Sequence, residues 1–212
     1  AKDIEDRIVI TPHLGASTEE AQTEVAKIAA ENMIAALRGE PYEHAVNLPF
    51  LEQKLNKAQK AFLQLSRKMG VLGAKLAEVE CGAVHGCHIM LRGDLFCEEE
   101  PMPNRLCAYS IAVLKGLFEV SRGPEVSYML APLLAKDSGL AVDEGFGEAR
   151  TYKNTVELTL DAEKCSVSLI GTITEEGRMR VVKVNDYWLD FVPNGKLILF
   201  QNHDRPGVIG KI

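Results

Sequence analysis

Between residues 51 and 76 the apolar side chains Leu51, Leu55, Ala58, Phe62, Leu65, Met69, Leu72 and Leu76 advance by alternating steps of four and three. That spacing aligns one apolar stripe along a helix, and the stripe has two uses: a long helix laid on a core, or a seam along which two chains dimerise. Gly70 and Gly73 fall inside it. Each weakens a helix interior by about 1 kcal/mol relative to alanine, which implies either a close backbone approach or a break. Beyond Thr151 the period contracts to two: Val156, Leu158 and Leu160 alternate with Glu157 and Thr159, and Val167 and Leu169 alternate with serines. This is the pattern of half-buried strands. Turn chemistry at 161–164, 176–177 and 185–186 divides residues 154–191 into an antiparallel meander. A chain carrying both periods is expected to fold as an α+β protein, helices against an antiparallel sheet.

The flanks read differently. Ile8, Val9 and Ile10 suggest a short strand, which Pro12 ends because proline donates no hydrogen bond and restricts the residue before it. His13 then stands at the carboxyl end of a strand, where open α/β sheets place ligands, and its imidazole titrates near neutrality. The run Ser17-Thr18-Glu19-Glu20 has capping-box spacing, with Ser17 as the expected cap. The helix that follows should end near Gly39, a residue suited to a left-handed C-terminal cap. Further on, a strand is expected over 84–91, a loop around 98–103 and helices over 106–120 and 129–136. Pro193-Asn194-Gly195 marks a boundary, after which 197–200 begins another strand.

Thirty acidic against 24 basic residues leave a net charge of −6, whereas a nucleic-acid-binding domain usually carries a basic face to displace phosphate counterions. Nucleic acid is therefore not expected as a partner. A membrane is not expected either, since no run of eighteen apolar residues occurs. The five cysteines are odd in number and follow no signal peptide, so a reducing cytoplasm is expected rather than a secreted disulfide framework. Cys81, His85, Cys87 and His88 are the one cluster of soft metal ligands, with His85 and Cys87 expected on one strand face. Their spacing is not that of paired zinc ligands, and free cysteines are commonly buried as small apolar groups, so no metal is expected. The first residue is Ala1 and the last three, Gly210-Lys211-Ile212, stop inside an apparent helix start; the chain is expected to be a piece of something longer.

The string Ile8-Val9-Ile10-Thr11-Pro12-His13-Leu14-Gly15-Ala16-Ser17-Thr18-Glu19-Glu20-Ala21-Gln22 closely resembles the end of the cofactor-binding domain in D-3-phosphoglycerate dehydrogenases, within the D-2-hydroxyacid dehydrogenase family. The resemblance implies that His13 is the catalytic acid/base exchanging a proton with the substrate hydroxyl during hydride exchange with NAD, a task suited to a group titrating near the working pH. It also implies that Leu14, Gly15 and Ala16, with His13, border the nicotinamide. From Leu65-Ser66-Arg67-Lys68-Met69-Gly70 to Phe191, with Leu91-Arg92-Gly93-Asp94-Leu95 and Leu114-Lys115-Gly116-Leu117-Phe118 between, the chain resembles the intervening, allosteric-substrate-binding domain of the long, type I members. Some members bind anionic ligands there through cations of the last strands. This chain keeps Arg178, Arg180 and Lys183 nearby, while Trp188 and Val192 occupy positions where a histidine and an arginine would be expected. The alternative for Arg180 and Lys183 is a strand face kept in water by its charges. The stretch 197–210, with Asn202, Asp204, Pro206 and Gly207, resembles the first strand and helix start of an ACT regulatory domain, a ferredoxin-like fold. There Asn202 and Asp204 match positions that contact a small amino-acid effector, L-serine in this pathway.

Three segments are therefore expected: the tail of an α/β dehydrogenase region over 1–48, an intervening regulatory domain over 49–196, and a truncated ACT start over 197–212. The implied activity is oxidation of 3-phosphoglycerate with NAD in L-serine biosynthesis, by a homo-oligomer. No Gly-x-Gly-x-x-Gly opens a strand-turn-helix unit in this chain, so NAD is expected to bind the longer protein and not this piece, which is expected to be inactive alone. The competing reading is a freestanding module that binds a small anion or amino acid, or that drives oligomerisation.

Overall fold

The computed structural model describes residues 12, 15–37, 49–50, 54–96 and 106–200. The chain divides into two compact units, Ala1–Asn47 and Leu48–Ile212. The first unit contains helix α1 (Glu19–Leu37). Its cap is Thr18 rather than Ser17: Thr18 Oγ1 accepts from the Ala21 N–H at 3.2 Å, and the Thr18 carbonyl accepts the Gln22 N–H at 3.0 Å. The capping pattern was offset by one because the first intrahelical acceptor is Thr18 itself. Glu19 and Glu20 occupy the first turn, where the helix dipole favours negative charge. The expected strand over 7–11, the Gly39 cap and the 98–103 loop lie outside the described residues.

The second unit is an α+β fold with a six-stranded sheet in the order β2-β1-β3-β4-β5-β6. Helix α2 (Lys57–Glu80) leads into β1 (Val84–Arg92); helices α3 (Ala108–Arg122) and α4 (Leu130–Asp137) lead to β2 (Ala141–Gly147). Strands β3 (Thr155–Ala162), β4 (Ser166–Ile173), β5 (Met179–Val184) and β6 (Tyr187–Phe191) follow as the antiparallel meander expected from their alternation.

The sheet departs from expectation at its other edge, where β2 pairs parallel to β1 and makes the sheet mixed rather than wholly antiparallel. Parallel neighbours need a crossover, here provided by α3 and α4. Strand β2 reads Ala-Val-Asp-Glu-Gly-Phe-Gly, rich in residues that strands normally avoid, and its pairing to β1 holds it extended. At the far end, 197–200 forms no strand, although one was expected there. Among the described residues no strand pairs with it, and an isolated extended segment has no ladder to satisfy its backbone.

Helix α2 begins at Lys57, six residues after the stripe does. Asn56 and Gln59 form a reciprocal capping box, the Gln59 N–H reaching Asn56 Oδ1 at 2.9 Å and the Asn56 N–H reaching Gln59 Oε1 at 2.8 Å. Phe62, Leu65 and Met69 are buried against β3, β4 and α3, so the stripe belongs to a core helix and not to an interchain seam. The glycines mark close approach, with no break in the helix. A Cβ on Gly70 would strike the Val113 carbonyl of α3, and one on Gly73 would meet the Leu160 and Leu158 side chains of the sheet at 3.0 and 3.3 Å.

The cysteines give a further correction. Cys81, at the end of α2, is joined by a disulfide to Cys165 in the β3–β4 turn, their Cα atoms 5.0 Å apart. Eighty-four residues separate them in sequence; only the packing of α2 on the meander brings them together. No helix among the described residues is long and apolar enough to cross a membrane.

Candidate functional site

The face of β5 and β6 carries the cations singled out from the sequence. Arg180 stands opposite Thr172 and Lys183 opposite Ile170, two residues on one face of β4. The register shifts between these pairs, a bulge at Val182 that restores Arg180 and Lys183 to a common face. Each meets a side chain of β6. Arg180 Nε lies 3.5 Å from Asp190 Oδ1, and Lys183 Nζ lies 5.6 Å from the centre of the Trp188 ring. Arg178 is exposed before β5, its backbone N–H donating to Thr174 Oγ1 at 3.2 Å.

Neither contact holds its cation strongly. Asp190 is two-thirds exposed, and ion pairs in such surroundings contribute about 0–1 kcal/mol. An exposed cation–π contact contributes about 0.5–1 kcal/mol. A ligand with two negative charges would offer both cations better partners, so the face is chemically able to take a phosphate-bearing or dicarboxylate anion. Trp188 and Asp190 were not singled out as partners of these cations. The alternation on β6 was available in the sequence, but the bulge that sets the facing pairs was not.

The soft-ligand cluster does not assemble. Cys81 is in the disulfide, and Cys87 points into the core, where burial pushes its thiol up to about 12. His85 is exposed while Cys87 is buried, so the shared face expected for them is lost where the β1–β3 register shifts between Val84 and Gly86. His88 lies on the opposite face of β1, its Nε2 3.0 Å from Asp161 Oδ2 and its Nδ1 3.7 Å from Asp143 Oδ2. Ser166 Oγ donates to Asp161 Oδ1 at 2.7 Å, and this bond, ahead of His88, holds the Asp161 carboxyl below its usual range. Among the described residues no group of three or more His, Cys, Asp or Glu is placed to hold a metal ion.

Of the residues assigned to the cofactor, Gly15 and Ala16 form the turn before α1. Ala16 has φ of 53°, the left-handed region that a side chain disfavours and that clusters in functional loops. Nothing in the sequence signals that conformation. His13, Leu14, Asn202 and Asp204 lie outside the described residues.

The family model of the D-3-phosphoglycerate dehydrogenase intervening domain matches residues 58–185, the span from the start of α2 to the β5–β6 turn. Curated relatives extend the likeness over nearly the whole chain. The D-3-phosphoglycerate dehydrogenase of Archaeoglobus fulgidus is 33% identical over 209 residues, 98% of this chain and 38% of that protein. That of Methanocaldococcus jannaschii is 31% identical over 207 residues, again 98% and 38%. That of Synechocystis is 31% identical over 208 residues, 97% and 36%. The chain thus spans little more than a third of the length of these relatives. With more than half of its residues matched by that model, the chain belongs to the D-3-phosphoglycerate dehydrogenase intervening domain family.

Proposed function

We propose that this chain is the acid/base-bearing and regulatory part of an NAD-dependent dehydrogenase that oxidises 3-phosphoglycerate to 3-phosphohydroxypyruvate at the entry to L-serine biosynthesis. The match of residues 58–185 to the intervening domain carries the reading, and the Thr11-Pro12-His13-Leu14-Gly15 string upstream of it supports the catalytic half. His13 takes the substrate hydroxyl proton as the neighbouring carbon gives up hydride, and returns it in the reverse direction. NAD, when bound, supplies the hydride acceptor. The turn at Gly15 and Ala16, with Gly15 exposed and Ala16 left-handed, supports the part given to these two residues beside the nicotinamide.

Residues 49–196 act as the regulatory domain, with Arg180 and Lys183 taking the anionic group of a phosphorylated metabolite. Asn202 and Asp204 contact L-serine between paired ACT domains, so the working protein is a homo-oligomer. The experiment is His13→Ala in the longer polypeptide that carries this sequence. A fall in NAD reduction of about 10²–10⁴-fold is expected; a rate within a few-fold of the unaltered protein would remove the assigned role.

A further inference from the structure

The two ends of the Cys81–Cys165 disulfide differ in the properties that govern thiol–disulfide exchange. Cys81 ends α2 and is 1% exposed, whereas Cys165 lies in an exposed turn between β3 and β4. Cys165 is therefore the end of the bond that an incoming thiolate can approach from solvent, and Cys81 is not. The surroundings do not rest on the bond alone. The Lys164 N–H donates to the Cys81 carbonyl at 3.0 Å and the Glu163 N–H to the Ala83 carbonyl at 3.1 Å, so the two segments stay neighbours when the sulfurs separate. Internal reshuffling is also disfavoured among the described cysteines. Cys87 is in the core and Cys107 caps α3, and burial pushes both thiols up to about 12, leaving little thiolate near neutral pH.

We propose that Cys81 and Cys165 form a reversible dithiol/disulfide site, opened by a dithiol reductant that attacks at Cys165. One thiolate of the reductant bonds to Cys165 Sγ as the Sγ–Sγ bond breaks, and Cys81 leaves with the electron pair and takes a proton from water. The second thiolate of the reductant attacks its own sulfur in the mixed disulfide and releases Cys165. Two electrons pass: the reductant becomes a disulfide and the protein gains two thiols. The return of Cys81 to the mixed disulfide only regenerates the starting bond, and a second thiol on the same reductant molecule competes with that return. A dithiol is therefore the fitting class of reductant.

Opening the site removes one restraint on a wall of a groove. Gly82, Ala83 and Val84 follow Cys81 directly and line a groove of about 380 Å³ beside Leu117, Phe118 and Leu140. The tie between Cys165 and Cys81 is one of the restraints on that wall. This inference is independent of the dehydrogenase reading, since it uses neither His13 nor the cations of β5.

The test is alkylation of the full chain under native conditions, with and without dithiothreitol, read cysteine by cysteine by mass spectrometry. Without reductant neither Cys81 nor Cys165 should take the label. After dithiothreitol Cys165 should label at least about tenfold faster than Cys81, and amide exchange should rise over 82–84 and 162–166. The variant Cys165→Ser should reproduce the reduced exchange pattern without reductant. A bond that opens only in denaturant, free labelling of both residues before reduction, or exchange unchanged by reduction would each overturn the proposal.

Discussion

Gly70 of α2 and Gly116 of α3 sit at one helix crossing, each against a carbonyl of the opposite helix: Val113 for Gly70, Arg67 for Gly116. Backbone cannot swing aside as the end of a side chain can. Gly70→Ala should therefore destabilise the second unit despite the helix propensity that alanine gains, about 1 kcal/mol. Overpacking of this kind costs about 1–3 kcal/mol, with the upper end expected where the obstacle is main chain. Urea unfolding measures it. Gly73→Ala, which meets only leucine methyl groups, should cost less; equal losses, or a stabilised Gly70→Ala, would contradict the assigned crossing.

Across the same pair of helices, Glu119 joins two cations. Arg67 Nε donates to both carboxylate oxygens at 2.9 and 3.0 Å, Lys115 Nζ lies 2.6 Å from Oε1, and Lys115 also donates to the Val126 carbonyl. Burial alone would raise the Glu119 pKa, but the hydrogen bonds from Arg67 and then Lys115 outweigh it and the net direction is down. A depressed folded-state pKa stabilises fully above the ordinary glutamate range, about 4.3, and the contribution disappears as pH falls through the lowered value. Glu119→Gln should cost about 1–3 kcal/mol at neutral pH and flatten the acid limb of the stability curve. An acid limb as steep in the variant as in the parent would show that Glu119 does not carry it.

Asn56 closes the first turn of α2 through its side chain. Asn56→Ala should lower stability by about 1 kcal/mol, the usual size for loss of such a cap, measurable in the same urea titration. Wild-type stability in the variant would mean that the box contributes nothing.

Arg180 and Lys183 provide the test of the regulatory half. Calorimetry of the chain with 3-phosphoglycerate and with inorganic phosphate should show saturable binding that weakens as salt rises, because both cations are partly in water. The double variant Arg180→Ala with Lys183→Ala should abolish it. Binding that survives the double variant would move the anion elsewhere, and an absence of heat with either ligand would leave the face a solvated strand surface.

How far the fold was legible follows from where periodicity is a local property. The meander was readable because Val156, Leu158 and Leu160 alternate within one strand and turn residues stand between strands. The burial of Phe62, Leu65 and Met69 was readable as a stripe, though not the choice between core and seam, which depends on what lies opposite. Strand β2 was not readable, because Asp143, Glu144 and Gly145 carry no strand signal and its order comes from pairing with β1. The Cys81–Cys165 pair and the His88–Asp161 contact join residues 84 and 73 positions apart, separations that no spacing rule reaches. In the candidate site the cations were visible, while the register shifts that bring them to Trp188 and Asp190 exist only in the pairing of three strands.

The central claim is that this chain works as part of a 3-phosphoglycerate-oxidising enzyme. The most direct measurement follows NADH formation from NAD and 3-phosphoglycerate by the longer polypeptide that carries this sequence, beside the 212-residue chain by itself. Turnover by the longer protein and none by the chain alone is the predicted result. A longer protein that binds both compounds yet forms no NADH would contradict it.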